Sequence, residues 1–192
     1  MDHNITLEGY GIRLRPVKID DSEFIIKLRN MPHAIGNIGN SAKDLSTQNE
    51  WMRKYFQRDN DYYFIIESPS AVKLGTIGVY DIDFNALVAE PGRLVVIPKS
   101  LAALPSCILL IDFCFNDLKM QTLKGCIVST NKKVIIFNQQ LGYTITQIVP
   151  NEFFINNRET TMVHIELTKT KWEAQRGKLV KTATSGKNLQ IS

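Results

Sequence analysis

Between Val95 and Phe115 the chain reads VVIPKSLAALPSCILLIDFCF, an apolar strand that turns through a proline and a lysine into an apolar helix. The helix, from about Leu104 to Leu118, is apolar nearly all round and must be buried on every side. Strand-like segments flank it: LVAEPGRLVVIP (87–98) before and LKGCIVST (123–130) after. A strand, a buried crossover helix and a second strand form a parallel pair. Whatever else the chain does, it must fold around that unit.

Upstream, GIRLRPV (11–17) alternates as a short strand and ends at a proline. In IDDSEFIIKLRN, Asp20 is placed to cap a helix and Glu23 to answer it three residues on. Thr47 and Glu50 form the same pattern before a helix carrying Trp51, Met52, Tyr55 and Phe56 on one side. DYYFIIE (61–67), LGTIGVYDIDF (74–84) and LVAEPGRLVVIP (87–98) follow with short turns, as in an antiparallel meander. Downstream, NKKVIIFNQQLGY (131–143) reads as a helix stopped by Gly142. YTITQIV, EFFI and RETTMVHIEL are the last strands, with a turn at 156–157. The order predicts an α+β fold, a mixed and mainly antiparallel sheet of about seven strands with flanking helices.

The chain has 192 residues, 44% hydrophobic and 22% charged, which suits one globular domain. Its net charge of +4 lies at the C-terminal end. Six basic residues and one acidic residue fall between Lys169 and Ser192, leaving 17 of 23 basic and 18 of 19 acidic residues for the rest. Residues 1–172 are therefore read as a single domain and 173–192 as a basic, mobile tail. No nucleic-acid signature accompanies the tail, and no nucleic-acid partner is expected. The first residues lack the apolar stretch of a secretory leader, and the longest apolar run, Cys107 to Phe115, is too short for a bilayer. A cytoplasmic location and no membrane partner are the expectations. Cys107, Cys114 and Cys126 are odd in number, include no CxxC pair and sit in apolar surroundings, which favours core packing. No His, Asp or Glu cluster has metal-ligand spacing, so no metal is expected.

The element order over roughly residues 10–168 resembles the GNAT acetyltransferase superfamily. Asn131, Val134, Gly142 and Tyr143 match its N-x-x-(A/S/V)…(L/I)-G-(F/Y) signature. The resemblance implies a sheet splayed between the fourth and fifth strands of this count, with acetyl-CoA as acyl donor. The free edge of the fourth strand, at Val95, Val96 and Ile97, would bond the pantetheine amides, and one of its N–H groups would serve the oxyanion. The pyrophosphate would sit over the turn Lys99, Ser100, Leu101, Ala102, Ala103 and Leu104, at a helix N-terminus. That turn departs from the family's (R/Q)-x-x-G-x-(G/A) motif, having no glycine. Asn131 and Asn138 would lie on the cofactor side of the signature helix, where Asn138 replaces a tyrosine that often acts as the acid.

For the acceptor, the resemblance points to His33, Tyr80 and Asp81 as substrate contacts and to Glu90 in AEPGR as the general base. A surface pair between Glu90 and Arg93 is the alternative. The AEPGR segment, the glycine-free turn and Trp172 resemble a branch linked to bacterial surface-polysaccharide biosynthesis. This implies acetylation of the amino group of a nucleotide-linked amino sugar, with Lys27, Arg29 or Lys43 near a diphosphate. A protein or peptide N-terminus as acceptor, or a GNAT fold that binds without catalysis, are the other readings. Partners are then a small-molecule substrate and at most a second copy of the chain, as a homodimer.

Overall fold

The computed structural model describes residues 1–35, 41–155 and 158–185. The expected turn at 156–157 and the last residues of the chain lie outside them. The described strands form one sheet in the order β1-β2-β3-β4-β5-β6-β8-β7. The strands are β1 (Leu7–Gly9), β2 (Ile12–Pro16), β3 (Tyr62–Glu67), β4 (Lys73–Asp83), β5 (Val88–Val96), β6 (Thr122–Val128), β7 (Thr144–Ile155) and β8 (Arg158–Thr168). All neighbours pair antiparallel except β5 and β6, which are parallel as the crossover requires.

The strand beyond the expected seven is β1. It is three residues long, and Tyr10 and Gly11, at φ 52 and 77, fold it back onto β2. Two successive left-handed residues suit a tight hairpin, and a three-residue strand carries too little pattern to read. YTITQIV and EFFI join into the single strand β7, with a register shift between Val149 and Phe153.

The helices are α1 (Ser22–Arg29), α2 (Leu45–Phe56), α3 (Ala103–Asp112), α4 (Lys132–Leu141) and α5 (Lys169–Thr184). On one face, α3 buries Leu104, Ile108, Leu110 and Ile111 against Leu14, Phe64, Ile77 and Val79 of the sheet. On the other, α1 and α2 bury Ile25, Met52 and Tyr55 against Tyr63 and Ile65. Gly142 ends α4 at φ 103, the left-handed cap its sequence announced.

Two start signals are corrected. Asp44 caps α2, its carboxylate accepting the Thr47 N–H at 2.8 Å, while Glu50 pairs with Lys54 one turn on. Asp21, not Asp20, is engaged ahead of α1. It is buried, accepts the Lys18 N–H and binds Arg15.

The expected mobile tail is corrected over residues 173–184, and its last residues lie outside the described ones. Residues 169–184 form α5, with Trp172 and Leu179 buried in the main core. The Trp172 indole N–H donates to Asp112 at 2.8 Å, and Arg176 grips the same carboxylate. A buried indole with a satisfied N–H and an ion pair to α3 outweigh the poor apolar content of the segment.

Candidate active site

The parallel pair β5/β6 is joined only at Val88↔Thr122 and Ala89↔Leu123. Beyond those two positions the strands part. Two residues of β5 explain the divergence. Pro91 has no N–H to offer a ladder. Arg93 sits at φ 54, and the register with β4 shifts there, from Gly78↔Gly92 to Thr76↔Val95. An L-residue in that region costs about 1–2 kcal/mol and must be held. Thr76 Oγ1 donates to the Arg93 carbonyl at 2.9 Å. The Arg93 guanidinium makes two bonds to Asp61 and lies 4.4 Å over the Tyr80 ring, with Tyr63 and Trp51 around it. Asp61 is buried, and its bonds hold the Arg93 charge despite the cost of burial. The bulge is thus anchored from the α2 side of the sheet.

The gap opens into a cavity of about 840 Å³. Its floor is apolar, with Cys107, Leu110 and Ile111 of α3 and Phe137 and Leu141 of α4. Polar groups enter from the rims: Arg29 at the end of α1 and His33 after it, Tyr80 and Glu90 on β4 and β5, Cys126 on β6, and Asn131 at the cap of α4 with Lys133 and Asn138 within it.

Glu90 is half-buried beside Tyr80, whose hydroxyl donates to its Oε1 at 3.0 Å. The approach needs Gly92, because a Cβ there would lie 2.5 Å from the Tyr80 oxygen. Burial raises the Glu90 pKa above the ordinary glutamate value, and the charge of Asp81 adds to this. The Tyr80 hydrogen bond, His164 and Arg93 pull the other way without cancelling it. The surface pair with Arg93 is not what forms, since Arg93 binds Asp61.

Asp81 is not brought into this group. It is exposed at φ 49 in an irregular stretch of β4 and does not line the cavity. His33 does, with Nε2 3.1 Å from the Val96 carbonyl oxygen. Of the three strand residues, Val95 and Val96 line the cavity. Ile97 donates its N–H to Leu74 on the β4 side. Alternation along an antiparallel ladder then turns the N–H and carbonyl of Val96 to the open edge.

Within the glycine-free turn, Ala103 lines the cavity while Ser100, Leu101, Ala102 and Leu104 line a separate one of about 240 Å³ beside Tyr10 and Pro105. The Ala102 N–H donates to Ser100 Oγ at 3.2 Å, and Lys99 is exposed at φ 66. Asn131 caps α4 through the Val134 N–H, and the Asn138 amide donates to the Val134 carbonyl at 2.8 Å.

Of the three basic residues considered for a diphosphate, Arg29 lines the cavity. Lys133 was missed, although its place two residues after the signature Asn131 was a usable signal. Cys126 is half-buried at the cavity wall, whereas Cys107, on the cavity floor, and Cys114 are buried in the core. Its neighbours His164 and Glu152, distant in sequence, come within ligand distance of it. Sequence spacing carried no sign of that cluster.

Residues 12–144 match the family described as acetyltransferase (GNAT) domain. The chain belongs to the GNAT acetyltransferase family. Similar solved structures share the fold. One is FdhC, described as a nucleotide-linked sugar GNAT, with 25% identity and a TM-score of 0.76 over 92% of this chain and 97% of that one. Another is spermidine N-acetyltransferase from Vibrio cholerae in complex with CoA and spermine, with 18% identity and a TM-score of 0.76 over 86% and 99%. A GCN5-related N-acetyltransferase from Brucella melitensis reaches a TM-score of 0.84 at 15% identity, over 98% and 92%. No curated protein sequence matches the chain. The splayed strands and the α4 signature are thus the GNAT frame, and the enzyme is an N-acetyltransferase of that family. No helix among the described residues is long and apolar enough to cross a membrane.

Proposed function

We propose that this GNAT enzyme transfers the acetyl group of acetyl-CoA to the amino group of a nucleotide-linked amino sugar, with Glu90 as general base. The observation that carries this reading is the half-buried Glu90, 3.0 Å from Tyr80 in a cavity whose other charged lining groups are Arg29, Arg93 and Lys133. Arg93 is held by Asp61 and Lys133 faces the cofactor end, so Arg29 is the cation on the acceptor side, where it favours an acceptor bearing phosphate over a polycation. Similarity to a nucleotide-linked sugar GNAT supports the same choice. Acetylation of such amino sugars belongs with the making of surface polysaccharides.

In this reading the pantetheine runs along the open edge at Val96, above the apolar floor of α3 and α4. The pyrophosphate lies at Ala103, the part of the turn that faces the cavity, with Asn131 and Lys133 across from it. The acceptor enters from the α1–α2 side, past His33 and Tyr80. Its amine gives a proton to Glu90 and attacks the thioester carbonyl. A C–N bond forms, the oxyanion takes a hydrogen bond from the Val96 N–H, and the C–S bond breaks. Asn138 stands where relatives carry an acid and holds no transferable proton, so the thiolate takes its proton from water.

Glu90→Gln tests this assignment. It should lower kcat by roughly 10²-fold or more and leave the acetyl-CoA affinity unchanged. Because the carboxyl must be ionised to act, the parent's kcat/KM should rise as pH climbs through the raised Glu90 value. That limb lies above the ordinary ~4.3 of glutamate. The variant should lack it. A variant within about threefold of the parent at neutral pH removes Glu90 from the mechanism.

A further inference from the structure

On the sheet face shared with Tyr80 and Glu90, three side chains from three strands converge without a part in acetyl transfer. Cys126 of β6 and His164 of β8 are direct cross-strand partners. The irregularity of β7 between Val149 and Phe153 brings Glu152 beside them. His164 Nε2 lies 2.6 Å from Glu152 Oε2 and 3.9 Å from Cys126 Sγ. The three ligand atoms all fall within 4.8 Å of one another.

The arrangement is not a nucleophilic triad. In a triad one ring nitrogen serves the nucleophile and the other the carboxylate. Here the same nitrogen faces both, and one proton cannot serve two acceptors. A cation placed among the three atoms could bind all of them at once.

The chemistry of the set selects the cation. Calcium and magnesium take oxygen ligands, whereas one thiolate, one imidazole and one carboxylate suit zinc. Zinc bonds of about 2.3 Å to sulfur and 2.0–2.2 Å to nitrogen and oxygen put tetrahedral ligand atoms roughly 3.3–3.6 Å apart. The Cys126–His164 separation of 3.9 Å is close to that already. The His164–Glu152 contact must open by about 0.7 Å as its proton leaves. Glu152 is exposed on β7, at the edge of the sheet, where its side chain has room to move.

We propose that Cys126, Glu152 and His164 form a three-ligand zinc site at the wall of the cavity. Three protein ligands leave the fourth position to water or to a donor atom of a molecule in the cavity, which Cys126 lines. The site does not depend on which acceptor the enzyme acetylates.

Cobalt(II), a spectroscopic stand-in for zinc, tests the proposal on the full untagged chain in a non-thiol reductant. One equivalent should bind with a thiolate-to-cobalt charge-transfer band, and zinc should displace it. Cys126→Ser should lose the band while Cys107 and Cys114 remain. Glu152→Gln, at an exposed position, should weaken zinc binding at least about tenfold with its melting temperature unchanged, which separates ligand loss from unfolding. The proposal is overturned by the absence of a thiolate band at stoichiometric cobalt or by a band that survives in Cys126→Ser. A Glu152→Gln affinity within twofold of the parent also overturns it.

Discussion

Arg93 is the side chain on which the shape of the cavity most depends. Its backbone turns β5 away from β6, and its guanidinium ties that turn to Asp61 beneath Trp51, Tyr63 and Tyr80. Arg93→Ala leaves a carboxylate buried at 4% exposure with its main partner gone. The expected cost is about 3–5 kcal/mol in urea denaturation. Adding Asp61→Asn should restore much of it, because the uncompensated charge and not the lost packing dominates. A single variant within about 1 kcal/mol of the parent would show that water or Arg58, whose Nη1 lies 3.3 Å from Asp61 Oδ2, replaces the pair. Arg93 in sequence is one more strand residue after a glycine, and its partner lies 32 residues upstream. The family resemblance put Glu90 of AEPGR beside the acceptor pocket, and it does line the cavity. Its hydrogen bond to Tyr80 was not legible, since that needs the register of β4 against β5 and the missing side chain of Gly92.

At the level of elements, α5 shows where composition misleads. Its sequence is rich in lysine and threonine, and only Trp172 and Leu179 are deeply buried. Those two are seven residues apart and so share a helix face. The signal was present, but two apolar positions are few against six basic residues between Lys169 and Ser192. What fixes the helix lies elsewhere in the chain, in the bonds of Trp172 and Arg176 to Asp112 on α3 and of Gln175 to the Gln140 carbonyl on α4. Leu179→Ala should therefore cost about 2–5 kcal/mol. At roughly 2–4 °C per kcal/mol for a chain of this size, the melting temperature should fall by on the order of 5–15 °C in calorimetry. A fall below about 2 °C would mean that the helix end is not part of the cooperative unit. By contrast α3, α4 and the long strands were readable, because their patterns are long and their stop signals local. The three-residue β1 and the Asp44 cap were not, as both depend on a few atoms of local geometry.

Seen as a whole molecule, the fold follows from one topological demand. A buried crossover helix makes β5 and β6 parallel, two paired positions join them, and the bulge at Arg93 keeps the rest apart. The gap faces α3 and α4 on one side. On the other, a row of polar side chains crosses the sheet from Tyr80 through Glu90 and Cys126 to His164 and Glu152. The element order foretold the helices and the parallel pair, and the family resemblance implied the gap between its strands. That order could not assemble the row, whose members sit on five different strands. Nor could it show that only Ala103 of the glycine-free turn faces the gap, because that depends on how the turn leaves the sheet. In the proposed function, this gap joins acetyl-CoA to an amine carried on a nucleoside diphosphate. Free thiol released from acetyl-CoA tests it most directly, measured across nucleoside-diphosphate amino sugars, spermidine and short peptides with free N-termini. A nucleoside-diphosphate amino sugar should give a kcat/KM at least about tenfold above spermidine and every peptide, a difference of about 1.4 kcal/mol in transition-state binding. A higher kcat/KM for spermidine or a peptide would contradict the proposed function.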